Sequence, residues 1–330
     1  MKKNDRFQQL LPVAHIIIAS FGVATCLFPE WFPFLPGSNS HSAQILVVFL
    51  LLGILLMVAR KPNLTFLYFG AVLAMSFHLK RSLQQNGMEY WRTFPGQDVT
   101  QAPSWSPRFR LVHFQLNRSP EVGELLRSIR RNNPDIVSLQ LANAMKDRAL
   151  FDSLRNTYPH SRHLRAGDGT ESAVLTRYRI GFHDTLYVDG LPTFRNCFKL
   201  DGHDLCLSVV HMVREADSTT HFRQQEKLEA LGKKISLLNI PQVVLGNFHF
   251  AAWSDELGKF LRITGLRSTR DGFLQDGFSL DTPTRHILFS DRLRCDNFQV
   301  VTSGIQDEPT ALLGQFSFTK NLGHANKPPK

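Results

Sequence analysis

Side chains capable of polar chemistry stand at the ends of apolar, strand-like runs. Asn117 follows residues 110–116, His211 closes 205–211, Asn247 and His249 follow 242–245, and Arg285 with His286 opens 285–290. An imidazole can carry a proton or ligate a metal, and a guanidinium can grip a phosphate or carboxylate through two parallel hydrogen bonds. Imidazoles alone favour transition metals over magnesium, because a hard cation needs oxygen ligands and normally at least one carboxylate. Asp307 and Glu308 follow the run at 299–302. Each of these residues also has a plainer role: Asn117 as a loop cap, His211 and His286 as ordinary polar residues at strand ends, Gly246 as the former of the turn after its strand. The four cysteines, Cys26, Cys197, Cys206 and Cys295, show no CxxC spacing and no histidines at metal-ligand intervals, which argues against structural zinc.

The elements that must position these residues fall into two unlike regions. Before residue 80, three apolar stretches over about 10–28, 43–59 and 64–79 contain no Asp, Glu, Lys or Arg and are expected to form three transmembrane helices in a membrane anchor over 1–81. The second and third are joined by Arg60-Lys61-Pro62-Asn63, which predicts a tight helical hairpin. No A-x-A-like cleavage site follows the first stretch, so it reads as a span and not a signal peptide. Cys26 reads as a small buried apolar residue, and His15 and His78 as interfacial residues near helix ends. Lys2, Lys3, Arg6, Arg60 and Lys61 place the N-terminus and the hairpin turn on the cytoplasmic side of a bacterial-type plasma (inner) membrane, with the remainder extracytoplasmic.

Residues 82–107 are polar, broken by Gly and Pro, and read as a linker. From 108 to 320 short apolar runs alternate with helical stretches at about 121–132, 148–158 and 222–239, and a tail over 321–330 is expected to be unstructured. Many strands with few helices indicate an α+β domain whose two-layer β core is covered by helices. Asp201-Gly202 marks a hairpin turn, and the register expected for it sets Cys197 opposite Ser208, which disfavours a Cys197–Cys206 bridge. The net charge is +10; eight basic residues flank the apolar stretches, leaving 30 basic against 24 acidic residues after position 103. So small a surplus argues against nucleic acid as the partner.

An ordered series of motifs gives these elements a family likeness. Arg110-Leu-Val-His-Phe-Gln-Leu-Asn117, Asn133-Pro-Asp-Ile-Val-Ser-Leu-Gln140, Ser172-Ala-Val-Leu-Thr-Arg177-Tyr, Val209-Val-His211-Met, Val243-Val-Leu-Gly246-Asn-Phe-His249-Phe-Ala-Ala-Trp253-Ser, Thr264-Gly-Leu266 and Arg285-His286-Ile-Leu-Phe-Ser290 resemble, in order, the motifs of the endonuclease/exonuclease/phosphatase (DNase I-like) superfamily. The resemblance runs from about 108 to 318 and implies a β-sandwich flanked by helices, with a divalent-cation-dependent phosphoesterase site.

It also implies that the chemistry has been lost. Leu141 stands where the family has a metal-binding Glu, and Asn247 and His249 stand where it has the Asp and Asn of its Gly-Asp-Phe-Asn motif. Arg285 replaces an Asp, and Gln306-Asp307-Glu308 replaces the terminal Ser-Asp-His, so that an Arg285–Glu308 pair is expected in place of the family's Asp–His pair. Asn117, Leu141, His211, Asn247, His249, Arg285, His286, Asp307 and Glu308 are expected to gather as a vestigial pocket without a competent catalytic residue or resident cofactor. The expected function is binding or scaffolding at the lipid bilayer, with a phosphate-bearing ligand or a protein as partner. Two alternatives stand beside it: an active phosphodiesterase using Mg, Mn or Zn at a histidine-rich site, and a membrane assembly subunit.

Overall fold

A computed structural model describes residues 2–28, 31–32, 41–85, 106–116, 122–141, 148–165, 171–188, 191–212, 218–270, 284–302 and 309–319. Three long helices come first: α1 (Lys2–Leu27), α2 (Ser42–Val58) and α3 (Pro62–Gln85). They pack on one another through Ala19, Cys26, Phe49, Tyr68, Ala71 and Met75. Gly22 lets α1 approach α2, since a Cβ there would lie 2.5 Å from the Phe49 ring. Arg60 adopts a left-handed conformation (φ 55°) and turns α2 into α3. By length and composition α3 is the one described helix that could cross a membrane; the apolar part of α1, Leu11–Leu27, and α2, of 17 residues, are shorter than that requirement. The expectation of three spans therefore narrows here to three packed apolar helices. His15 is not at a helix end, because α1 starts at Lys2; its Nδ1 meets the Tyr68 hydroxyl at 2.9 Å inside the bundle.

The rest of the chain forms two six-stranded sheets. The first has the order β11 (Leu293–Thr302), β12 (Pro309–Phe318), β1 (Arg108–Leu116), β2 (Ile136–Leu141), β4 (Glu171–Thr176), β3 (His160–Arg165). The second runs β5 (Ile180–Val188), β6 (Leu191–Leu200), β7 (His203–His211), β8 (Gln242–Asn247), β10 (Arg285–Phe289), β9 (Arg267–Ser268). Period-2 alternation divides their side chains. Leu111, Ile136, Leu207, Leu245, Ile287 and Phe316 meet between the sheets. The opposite face of the second sheet packs against α6 (Ser218–Ser236) and α7 (Asp255–Thr264) through Val210, Val244, Leu288, Leu231 and Phe260. The opposite face of the first packs against α4 (Val122–Asn132) and α5 (Arg148–Leu154) through Val112, Val137, Leu125 and Leu154.

Local chemistry sets the boundaries. Ser254 caps α7 by accepting from Leu257 N at 3.2 Å, Asp255 and Glu256 occupy its first turn, and Gly265 closes it in the left-handed region (φ 67°). The hairpin between β6 and β7 corrects the expected register. Asp201 (φ 46°) and Gly202 (φ 86°) are the two central residues of the turn, so Leu200 faces His203 and Cys197 faces Cys206. β7 begins two residues earlier than its apolar run suggested, and the cysteines, 4.0 Å apart at Cα, are joined by a disulfide. The expected linker also contracts: α3 extends to Gln85, Leu83 packs against the α6–α7 layer, and Ser106 Oγ donates to Phe318 O at 2.6 Å.

Candidate active site

The polar residues at the strand ends are positioned by register. β7 and β8 are parallel and β10 is antiparallel to β8, which places His211, Asn247 and Arg285 side by side on three adjacent strands. Leu207, Leu245 and Ile287 on the same strands face the other sheet, and side chains at even spacing from them share that face. In the first sheet, Phe109, Leu111 and Ile136 face inward, and the same alternation brings His113, Ser138 and Gln140 to the inter-sheet side. The two sheets are tied together here, because Gln140 Nε2 donates to Val210 O at 3.4 Å. The sandwich interior is thus apolar through most of its depth and polar at the end where β2, β7 and β8 terminate.

Gly246 permits this approach. Its φ is 141°, and a Cβ there would lie 1.9 Å from Val210 O on β7, so it serves the packing of backbone on backbone within the sheet and not the turn expected of it. Immediately after it, Asn247 Oδ1 accepts from His249 N at 3.0 Å and holds His249 in the left-handed region (φ 57°). Asn247 is buried and His249 half-exposed.

Arg285 and Arg270 bring positive charge to this end. His113 is fully buried, its Nδ1 3.1 Å from Ser138 Oγ, and burial, assisted by the Arg285 charge, lowers it to about 3, so it is neutral. Arg270, buried beside the Phe298 ring, donates from Nη2 to the backbone carbonyl of Arg285 at 3.2 Å. The buried acid in register with Leu141 is Glu171, which is engaged by His163 (3.2 Å) and Arg165 (3.7 Å). It alternates with Ala173 and Leu175, on the face that packs against α4 and α5 and away from the inter-sheet side.

His286 departs from the expected pocket. It lies on the helix-facing side of β10, its Nε2 donates to Phe250 O at 2.9 Å, and its ring stands edge-on to Phe248. Burial, with Arg270 nearby, lowers it to about 3. It is a core residue and cannot join His211 and His249. Leu141 ends β2 beside Leu116 of β1, and Asn117, Asp307 and Glu308 lie outside the described residues, so the Arg285–Glu308 pair does too. Two inward residues were missed by motif reading, His113 and Gln140. Their signal is visible: His113, Gln115 and Asn117 recur at a spacing of two as β1 approaches its end, as do Ser138 and Gln140 in β2.

A domain with two stacked sheets of these orders, helices on both outer faces and a polar end at these strand termini can be compared directly with solved structures. The chain superimposes on an endonuclease/exonuclease/phosphatase family protein from Bacteroides thetaiotaomicron (TM-score 0.51, 12% identity, 65% of this chain and 99% of that one). It also matches the human Nocturnin catalytic domain with bound sulfate anion (TM-score 0.53, 17% identity, 64% and 94%). A third match is an endonuclease/exonuclease/phosphatase from Beutenbergia cavernae (TM-score 0.50, 12% identity, 64% and 72%). The domain has the DNase I-like fold. No family model and no curated protein matches the sequence. Identities this low carry the fold alone, so the site must be judged on its own donors.

DNase I-like proteins with enzymatic activity are typically metal-dependent, and the described residues do not fit a hard divalent cation. Asn247, His211 and His249 supply no carboxylate, and Arg285 stands beside Asn247. No group of three or more His, Cys, Asp or Glu with metal-binding geometry occurs among the described residues.

Proposed function

We propose that this DNase I-like domain is a catalytically inactive binding module, held at a membrane by α1–α3, whose strand-end site takes a phosphate-bearing group without metal. The observation that carries the reading is Arg285 in register with Asn247, with Arg270 hydrogen-bonded to its backbone: fixed positive charge stands where hydrolysis would require carboxylates around a cation. The test is equilibrium binding of a phosphorothioate diester to the detergent-solubilised full chain in the presence of chelator. Binding that Arg285→Ala removes supports the reading. Binding that appears only with Mg²⁺ or Mn²⁺ contradicts it.

The membrane part of the proposal is that all three helices span, with the N-terminus cytoplasmic and the domain outside the cytoplasm of a bacterial-type plasma membrane. Outward-facing apolar side chains support it: Leu51 (60% exposed), Leu55 (63%) and Val58 (73%) on α2, and Phe66 (75%), Leu73 (73%) and Phe77 (67%) on α3. Such contiguous apolar surface is stable against lipid and costly in water. The Cys197–Cys206 disulfide supports an oxidising compartment for the domain.

A further inference from the structure

At the far end of the sandwich from the strand-end site lies a groove of about 590 Å³ between α5, the start of β3 and the start of β5. Its position follows from register: β4 pairs Leu141 with Glu171 but Ile136 with Thr176, and Thr176 in turn faces His160, so this groove sits at the opposite terminus of the same strands. Arg155, Arg162, Arg179, His160 and His183 line it, against the single acidic side chain Asp152. Other arginines of the domain are matched by carboxylates, among them Arg177 with Asp135, Arg195 with Asp184 and Arg294 with Asp296. Among the described residues no carboxylate pairs with Arg155, Arg162 or Arg179, and Arg162 Nε is shielded from solvent without any hydrogen-bond acceptor. A guanidinium N–H that has lost water and gained nothing is costly unless an acceptor reaches it.

We propose that this groove is a second anion site, distinct from the strand-end site, and that it takes a compact ligand carrying several phosphate charges. Three guanidinium forks converging on one concavity match two or three phosphoryl groups better than one, since each fork can hold two oxygens of a tetrahedral anion. The concave outline and the Asp152 boundary favour a compact anion over a long duplex, which would need a basic stripe continuing past the groove.

The probe is inorganic tripolyphosphate, titrated calorimetrically into the full-length protein in detergent micelles, with orthophosphate as the single-phosphate reference. Tripolyphosphate is expected to bind at least ten-fold more tightly than orthophosphate. The combined Arg155→Gln, Arg162→Gln and Arg179→Gln variant is expected to lose at least ten-fold of that affinity, and Arg179→Gln alone to lose a measurable part should the triple variant not fold. Location is read independently, because Arg155 and Arg179 are exposed: tripolyphosphate is expected to protect both from phenylglyoxal in peptide mapping. Absence of protection overturns the proposal. So does tripolyphosphate binding that Arg285→Ala abolishes and the triple variant leaves intact, which would assign the anion to the strand-end site. Displacement of tripolyphosphate by duplex DNA or by anionic vesicles at lower phosphate concentration would also overturn it, in favour of a macromolecular or lipid occupant.

Discussion

Gly246 has no room for a side chain: a Cβ would overlap Val210 O at 1.9 Å, and the strand on which it would have to move is held by partners on both sides. Gly246→Ala is expected to destabilise the domain by about 3 kcal/mol or more, read as a lowered thermal midpoint of the solubilised protein. Two buried histidines give a signature in pH. His113 and His286 are each lowered to about 3 from an ordinary value of 6.5, so the native state stays neutral while the unfolded chain takes up protons below 6.5. Their contribution is fully present above 6.5 and is lost as pH falls toward 3, at about 1.4 kcal/mol per pH unit for each histidine. Unfolding measured between pH 7.5 and 5 is expected to show falling stability, and His113→Asn or His286→Asn is expected to flatten the slope. An unchanged slope in both variants would show that these imidazoles are not neutral in the native state. At this scale the sequence was informative about identity and less so about direction. Motif order put His211, Asn247 and Arg285 at strand ends, but one position of alternation sends His286 into the helix-side core while Arg285 faces the other sheet. Only a strand's facing, which a motif does not state, separates the two.

Among the elements, the β6–β7 hairpin shows how a small misreading of boundaries moves chemistry. Placing the start of β7 at Leu205, where the apolar run begins, obscures His203 and Asp204 as strand residues, and the register then slips by two. With His203 paired directly to Leu200 across Asp201-Gly202, Cys197 and Cys206 become direct partners. Cys197→Ser with Cys206→Ser is expected to cost about 2 to 3 kcal/mol through the larger entropy of the unfolded loop, measured by denaturation with and without reductant. If reductant leaves the native protein's stability unchanged, the bridge is not formed. α7 offers a milder test, since Ser254→Ala removes the hydroxyl that accepts from Leu257 N and is expected to cost about 1 kcal/mol. Periodicity found the strands that are apolar throughout, such as β2 and β8, and the helix α6. It passed over β12, which lies between β11 and β1 in the first sheet, because Pro309 and Gly314 interrupt its pattern. It passed over β3, whose one apolar residue is Leu164, and β5, whose period-2 pattern of Ile180, Phe182, Leu186 and Val188 is interrupted by Asp184.

At the scale of the whole molecule, the bundle and the domain are in contact and not merely strung together. Leu83 near the end of α3 packs against the layer formed by α6 and α7. A fusion after Lys330 is expected to be active with a reporter that needs an oxidising compartment and silent with one that needs the cytoplasm; the reverse pattern would contradict the proposed orientation. The two-sheet architecture could be anticipated from the order of weak motifs, since each fixes a strand end and their sequence fixes the topology. The stretches between the motifs, including Asp307 and Glu308, could not be anticipated, because no periodic pattern in the sequence constrains them. The DNase I-like sandwich brings His211, Asn247 and Arg285 together at its strand ends, the arrangement from which catalytic inactivity is proposed. The most direct measurement is hydrolysis of generic phosphodiester and phosphomonoester substrates by the purified full-length protein with Mg²⁺, Mn²⁺ or Zn²⁺. The expected result is no turnover above the uncatalysed background with any of the three, and none gained or lost in His249→Ala. Metal-dependent turnover that His211→Ala or His249→Ala abolishes would contradict it and establish an active histidine-rich site.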